Sequence, residues 1–137
     1  MSLYHKLKNK LIYDVDSLRA RCQRFKRGYS YGDVWDMDFW FMRTVKPMLI
    51  HLRDHGVGVP NELYINGENE RIHWENILTE MINCLDMMDE DIVRKKLKLN
   101  YGTSLSCEDY KRIGDTMDKN KKRFFELFSY YFYHLWD

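Results

Sequence analysis

A chain of 137 residues with 45% hydrophobic side chains can bury one real core without disulfides or metals, and its net charge of +1 argues against a dedicated DNA-coating protein, whose affinity rests on phosphate contacts. Three cysteines, Cys22, Cys84 and Cys107, are odd in number and widely spaced, so they spell neither a disulfide framework nor a CxxC metal knuckle. No run approaches the roughly 18 apolar residues of a membrane span, and the opening MSLYHKLKNK has no apolar signal core, so neither a membrane nor secretion is expected.

The charge is uneven along the chain. Residues 1–27 carry eight Lys or Arg against two Asp, residues 28–92 four against thirteen acids, and residues 93–137 ten against six. Two basic ends flank an acidic middle, which they can neutralise on folding or leave as basic surface for phosphate-bearing ligands.

Leu3, Leu7, Leu11, Val15, Leu18, Cys22 and Phe25 recur at steps of four and three, which predicts one long amphipathic helix over 3–27, closed by Gly28. Asp16 or Ser17 offers an alternative cap for a break near 14–17. Ser30 with Asp33 then reads as a capping box. The stripe Trp35, Phe39, Met42, Val45, Leu49, Leu52 predicts a second helix running to a left-handed stop at Gly56, with Pro47 kinking it. The segment from His55 onward holds three of the seven glycines, Gly56, Gly58 and Gly67, and an Asn66-Gly67 step, so it reads as an irregular loop of roughly 16 residues, with Leu63-Tyr64-Ile65 as a short extended piece or one arm of a small hairpin.

Trp74, Ile77, Leu78, Met81, Ile82, Leu85 and Met88 mark a third helix. Its end lies near Asp89–Asp91, or it runs on to Leu97, where basic residues suit a helix C-terminus better. Ser106 with Asp109 opens the last helix. Its RFFELFSYYFYHLWD end is apolar on more than one face, which predicts a place at the centre of the bundle or in a homo-oligomer interface. The architecture expected is all-α, a four- to five-helix bundle with one long irregular loop, as a single domain over 1–137.

The basic cluster of the first helix runs directly into Tyr29 and Tyr31, and aromatic rings beside guanidinium groups are what a site needs to stack a base and neutralise a phosphate. Asp36 and Asp38 are set among Trp35, Phe39, Trp40 and Phe41, whose apolar rings can desolvate a carboxylate into a site, and Asp36 is equally placed for a structural ion pair with Arg43 or an arginine of the first helix. His51 and His55 share a helix face at metal-ligand spacing, but position 52 is Leu where a zincin has Glu, so a surface pair near the helix end is the plainer reading. Asp86 and Asp89, with Glu90, Asp91, Glu75 and Glu80, have the spacing of a magnesium site, without the paired ExxE half. No Ser/His/Asp or Cys/His arrangement, P-loop or GxGxxG is readable. No cofactor, metal or catalytic residue is therefore expected, and an enzyme is the weaker class.

RFKRGY (24–29), DVWDMDFWF (33–41), VKPML (45–49), HLRD (51–54), WExILxxMI (74–82), LxxMDED (85–91) and FxLFSxYFxxLWD (125–137) together resemble a family of small phage and prophage proteins. The match spans about half the chain. The resemblance implies a phage-encoded accessory protein acting in the host cytoplasm, with no assigned chemistry. For such a protein the aromatic and arginine cluster suggests a sponge that sequesters a nucleotide-type immune signal without turnover. Its expected ligand-binding residues are Arg24, Arg27, Tyr29, Tyr31, Trp35, Trp40 and Arg43. The alternatives are a protein-binding inhibitor of a host factor and a metal-dependent nucleotide hydrolase.

Overall fold

The computed structural model describes residues 3–63, 70–99 and 104–136, and every regular element among them is helical. The fold is all-α. The chain divides into two compact units, Met1–Arg43 and Thr44–Asp137.

In the first unit α1 spans Leu3–Arg27 without interruption, so neither Asp16 nor Ser17 starts a new helix. Arg24, Lys26 and Arg27 in its last turn suit the negative end of the helix dipole. Gly28 stops it at φ +80°, donating its N–H to the Arg24 carbonyl at 2.8 Å. α2, Tyr31–Trp35, begins at the expected capping box. Ser30 Oγ accepts from the Asp33 N–H, and the Asp33 carboxylate accepts from the Ser30 N–H at 2.7 Å.

The single helix expected from Ser30 to Gly56 is broken after five residues. Asp36 leaves the helical region at φ −122°, ψ 56°, and α3 restarts as Met37–His55. The Asp36 carbonyl still accepts the Trp40 N–H at 2.9 Å, so the restart leaves that group paired. The predicted apolar stripe is consequently split. Leu49 and Leu52 are buried, whereas Trp35 is 89% exposed and Phe39 nearly half so. The helix continues through Pro47. Gly56 is not in the left-handed region, since Gly28 is the only described glycine with positive φ. What Gly56 supplies is close approach: an added Cβ would lie 2.4 Å from the Leu52 carbonyl oxygen.

The second unit comprises the later turns of α3, a 3-10 turn at Asn61–Leu63, α4 (Glu70–Asp86), α5 (Glu90–Lys96), α6 (Cys107–Tyr130) and a closing 3-10 turn at Phe132–His134. Leu63 belongs to the first of these turns, and Tyr64 and Ile65 of the expected hairpin arm lie outside the described residues. Asp89 ends the ambiguity over the third helix. Its carboxylate accepts from the Asp91 and Ile92 N–H groups and caps α5, so the acidic run stands at the start of a new helix, where the dipole favours it. Ser106 and Asp109 form the second capping box, at the start of α6.

The centre of this unit is α4. Trp74, Leu78, Met81 and Leu85 are buried to within 2% of complete, and Trp74 meets the Tyr131 ring at 5.2 Å. α6 packs on α4 and α5 and buries Ile113, Phe124 and Leu127. Of the two places expected for the C-terminal segment, the centre of the bundle is taken by α4: α6 ends at Tyr130, and Phe125, Phe132, Tyr133 and Trp136 stand on the surface.

Candidate functional site

The positive φ of Gly28 and the capping box at Ser30 fold the chain sharply between α1 and α2. This elbow brings five of the seven expected ligand-binding residues into two groups. The first group is built on Asp33, a residue that sequence reasoning used only as a cap. Asp33 is 5% exposed. Its carboxylate receives Arg24 in a fork, Nε at 2.8 Å and Nη2 at 2.6 Å, and Arg43 Nη2 at 3.5 Å. The Arg24 guanidinium and the Ser30 N–H hold the Asp33 carboxyl far below the usual carboxylate range. A carboxylate so placed stays ionised and does no acid–base work. The pairing predicted for Asp36 thus falls to Asp33, while Asp36 lines the same open hollow with Gly32 and Phe39.

The second group is a stack. The Arg27 guanidinium lies 4.1 Å from the Tyr31 ring centre and 4.8 Å from that of Tyr29, and its Nε donates to the Tyr29 carbonyl at 3.1 Å. Arg27 draws the Tyr31 phenol below its ordinary pKa, first by hydrogen bonding and then by charge. The Tyr31 N–H is held by Gln23 Oε1 at 3.0 Å, so backbone and ring are both tied to α1. Both tyrosines remain substantially exposed. Trp35 on the surface and the half-buried Trp40 make no ring or hydrogen-bond contact with either group.

The other candidates are dispersed. His51 and His55 stack on each other at 4.7 Å, and among the described residues no three His, Cys, Asp or Glu are grouped to hold a metal. Asp86 pairs with Lys46, Glu75 with Arg71 at 2.7 Å and Glu80 with Arg123 at 2.6 Å, while Asp89 is committed to its cap. These carboxylates have separate partners and do not converge.

A concavity that sequence reasoning missed lies in the second unit. An apolar groove of about 540 Å³ runs between Met48, Leu49 and Leu52 of α3 and Phe128, Phe132 and Trp136 at the C-terminal end, with His51 its only titratable lining group. Its two walls are some 80 residues apart in sequence, which no local periodicity reports.

No family model, curated protein or solved structure matches the chain.

Proposed function

We propose that this is a phage-encoded accessory protein that acts in the host cytoplasm by binding rather than turnover, and that the elbow sequesters a nucleotide-type immune signal. The observation that supports this most is the exposed stack of Arg27 on Tyr29 and Tyr31. Stacking a base on an aromatic ring contributes roughly 1–3 kcal/mol and tolerates any base, which suits capture of a signal. Two guanidiniums, Arg24 and Arg43, share the single Asp33 carboxylate, with Asp36 lining the same hollow. Arg43, 65% exposed and held by one long contact, is the group free to turn toward a phosphate.

The test is native mass spectrometry after incubation with a panel of cyclic and ADP-ribose-type nucleotides, followed by denaturation and analysis of what is released. Intact nucleotide retained by the wild type and lost in Arg27→Ala and Tyr31→Ala is the expected outcome. Recovery of an altered nucleotide would move the protein to the enzymes, and no retention would end the nucleotide reading. Arg24→Ala is the poorer probe, because it also strips Asp33 of its principal partner.

A second reading, a protein-binding inhibitor of a host factor, is favoured by Phe25 and Trp35, 93% and 89% exposed. Large aromatics left in water are characteristic anchors of protein interfaces. In either reading the copies associate through the exposed aromatics of the C-terminal turn.

A further inference from the structure

α1 is attached to its unit by its polar side. Gln23 accepts from Tyr31, Arg24 clamps Asp33, and Arg27 lies on two tyrosine rings. At roughly 100° per residue, Val15, Leu18, Cys22 and Phe25 fall on the opposite side of the same helix. Val15 is 58%, Leu18 63% and Phe25 93% exposed, and Cys22 is exposed as well. An amphipathic helix ordinarily docks by its apolar stripe. Here the arrangement is inverted, and the stripe faces water.

The spacing of that stripe points to what covers it. From Leu11 to Phe25 the steps are four, three, four and three, the a/d seam of a coiled coil, which a lipid surface does not require. Along Val15 to Phe25 the positions flanking the seam are Arg19 and Lys26 on one side and Arg21 on the other, all cationic, with an acidic residue, Asp14, in the sequence just before them. In a parallel pairing with a second copy, position 14 (Asp) would face Arg19 and Arg21 would face Lys26, one pair attracting and one repelling, so a second copy gains no net charge pairing. A helix bearing Glu or Asp at its own flanks would pair with each of the three.

We propose that this face of α1 is the docking surface for an amphipathic helix with acidic flanks, supplied by another polypeptide and seated along Val15 to Phe25. The inference goes beyond the nucleotide reading and does not rest on it, since Tyr29 and Tyr31 belong to the other side of the elbow. The experiment uses the full chain and two labelled peptides of about three heptads, both with Leu at a and d, one with Glu and one with Lys at e and g. The Glu peptide is expected to bind at least about tenfold more tightly than the Lys peptide, and to weaken as salt is raised.

Leu18→Gln, at an exposed position, is expected to weaken the Glu peptide by about tenfold with circular dichroism and melting unchanged. Tyr31→Ala should leave peptide binding as it was. Equal affinity for both peptides, no binding, or binding indifferent to Leu18→Gln would overturn the proposal. So would a dimer, seen by light scattering, that Leu18→Gln dissolves, which would make the occupant a second copy. Leu18-dependent adsorption to phosphatidylglycerol vesicles without peptide binding would make it a lipid surface. Nucleotide retention, measured on the same Leu18→Gln protein, reports separately on the elbow.

Discussion

Asp33 gathers the polar contacts of the first unit: a capping N–H, a forked arginine and a second arginine meet on one buried carboxylate. Its value to the fold depends on charge. Because its pKa is depressed on folding, the stabilisation is complete above the ordinary aspartate value of about 4, and it is lost as pH falls from there toward the folded value. Asp33→Asn preserves the size of the side chain and removes the charge. It should melt at a lower temperature than wild type at neutral pH, and the gap should narrow as pH is lowered from about 4 toward 2.5. Thermal melts followed by circular dichroism across that range decide it. A gap of constant width would show that hydrogen bonding, and not charge, is what Asp33 contributes.

At the scale of elements, the chain's punctuation was legible wherever it is local. Ser30 with Asp33 and Ser106 with Asp109 lie three residues apart, and both capping boxes formed as the spacing required. The break at Asp36 was hidden because the apolar period runs unbroken from Trp35 to Phe39 on either side of it. The Arg24–Asp33–Arg43 cluster was hidden for a different reason: its members are nine and ten residues apart and meet only once Gly28 has turned the chain. Gly28 and Gly56 looked alike in sequence, each a glycine after a helix, yet one supplies positive φ and the other supplies space.

α3 ends at His55, and Arg71 donates to the Arg53 carbonyl at 2.8 Å and to that of Gly56, satisfying groups a helix end leaves bare. Alanine at the two glycines should therefore differ. Gly28→Ala meets no atom within 4 Å and carries the strain of a left-handed residue, about 1–2 kcal/mol. Gly56→Ala places a methyl against the carbonyl oxygen of Leu52, which the chain must move to relieve, and is expected to cost more than that. Urea denaturation of the two variants ranks them, and the reverse order would mean that the end of α3 yields more readily than its packing implies.

At the scale of the whole molecule, charge and apolar surface are both distributed unevenly. The unit Met1–Arg43 carries nine basic against five acidic residues, and Thr44–Asp137 thirteen against sixteen. The second unit owns the buried core around Trp74 and Phe124, whereas the first exposes much of what a core would use. Large apolar residues also stand out at the C-terminal end, with Tyr133 85% and Trp136 65% exposed. If copies associate there, replacing Tyr133 and Trp136 together by Ser should lower the mass found by light scattering and leave the melting of Trp74's surroundings largely as it was. An unchanged mass would place self-association elsewhere or show that the chain is monomeric.

The inverted attachment of α1 also divides the helix by what its residues answer to. Gln23, Arg24 and Arg27 serve the chain's own folding: Arg24 answers to the Asp33 carboxylate and Arg27 to the Tyr29 and Tyr31 rings, while Gln23 holds a backbone N–H. Val15, Leu18 and Phe25 present most of their surface to water. They are free to drift as fast as whatever meets them drifts, and the fold of the unit would not register the difference.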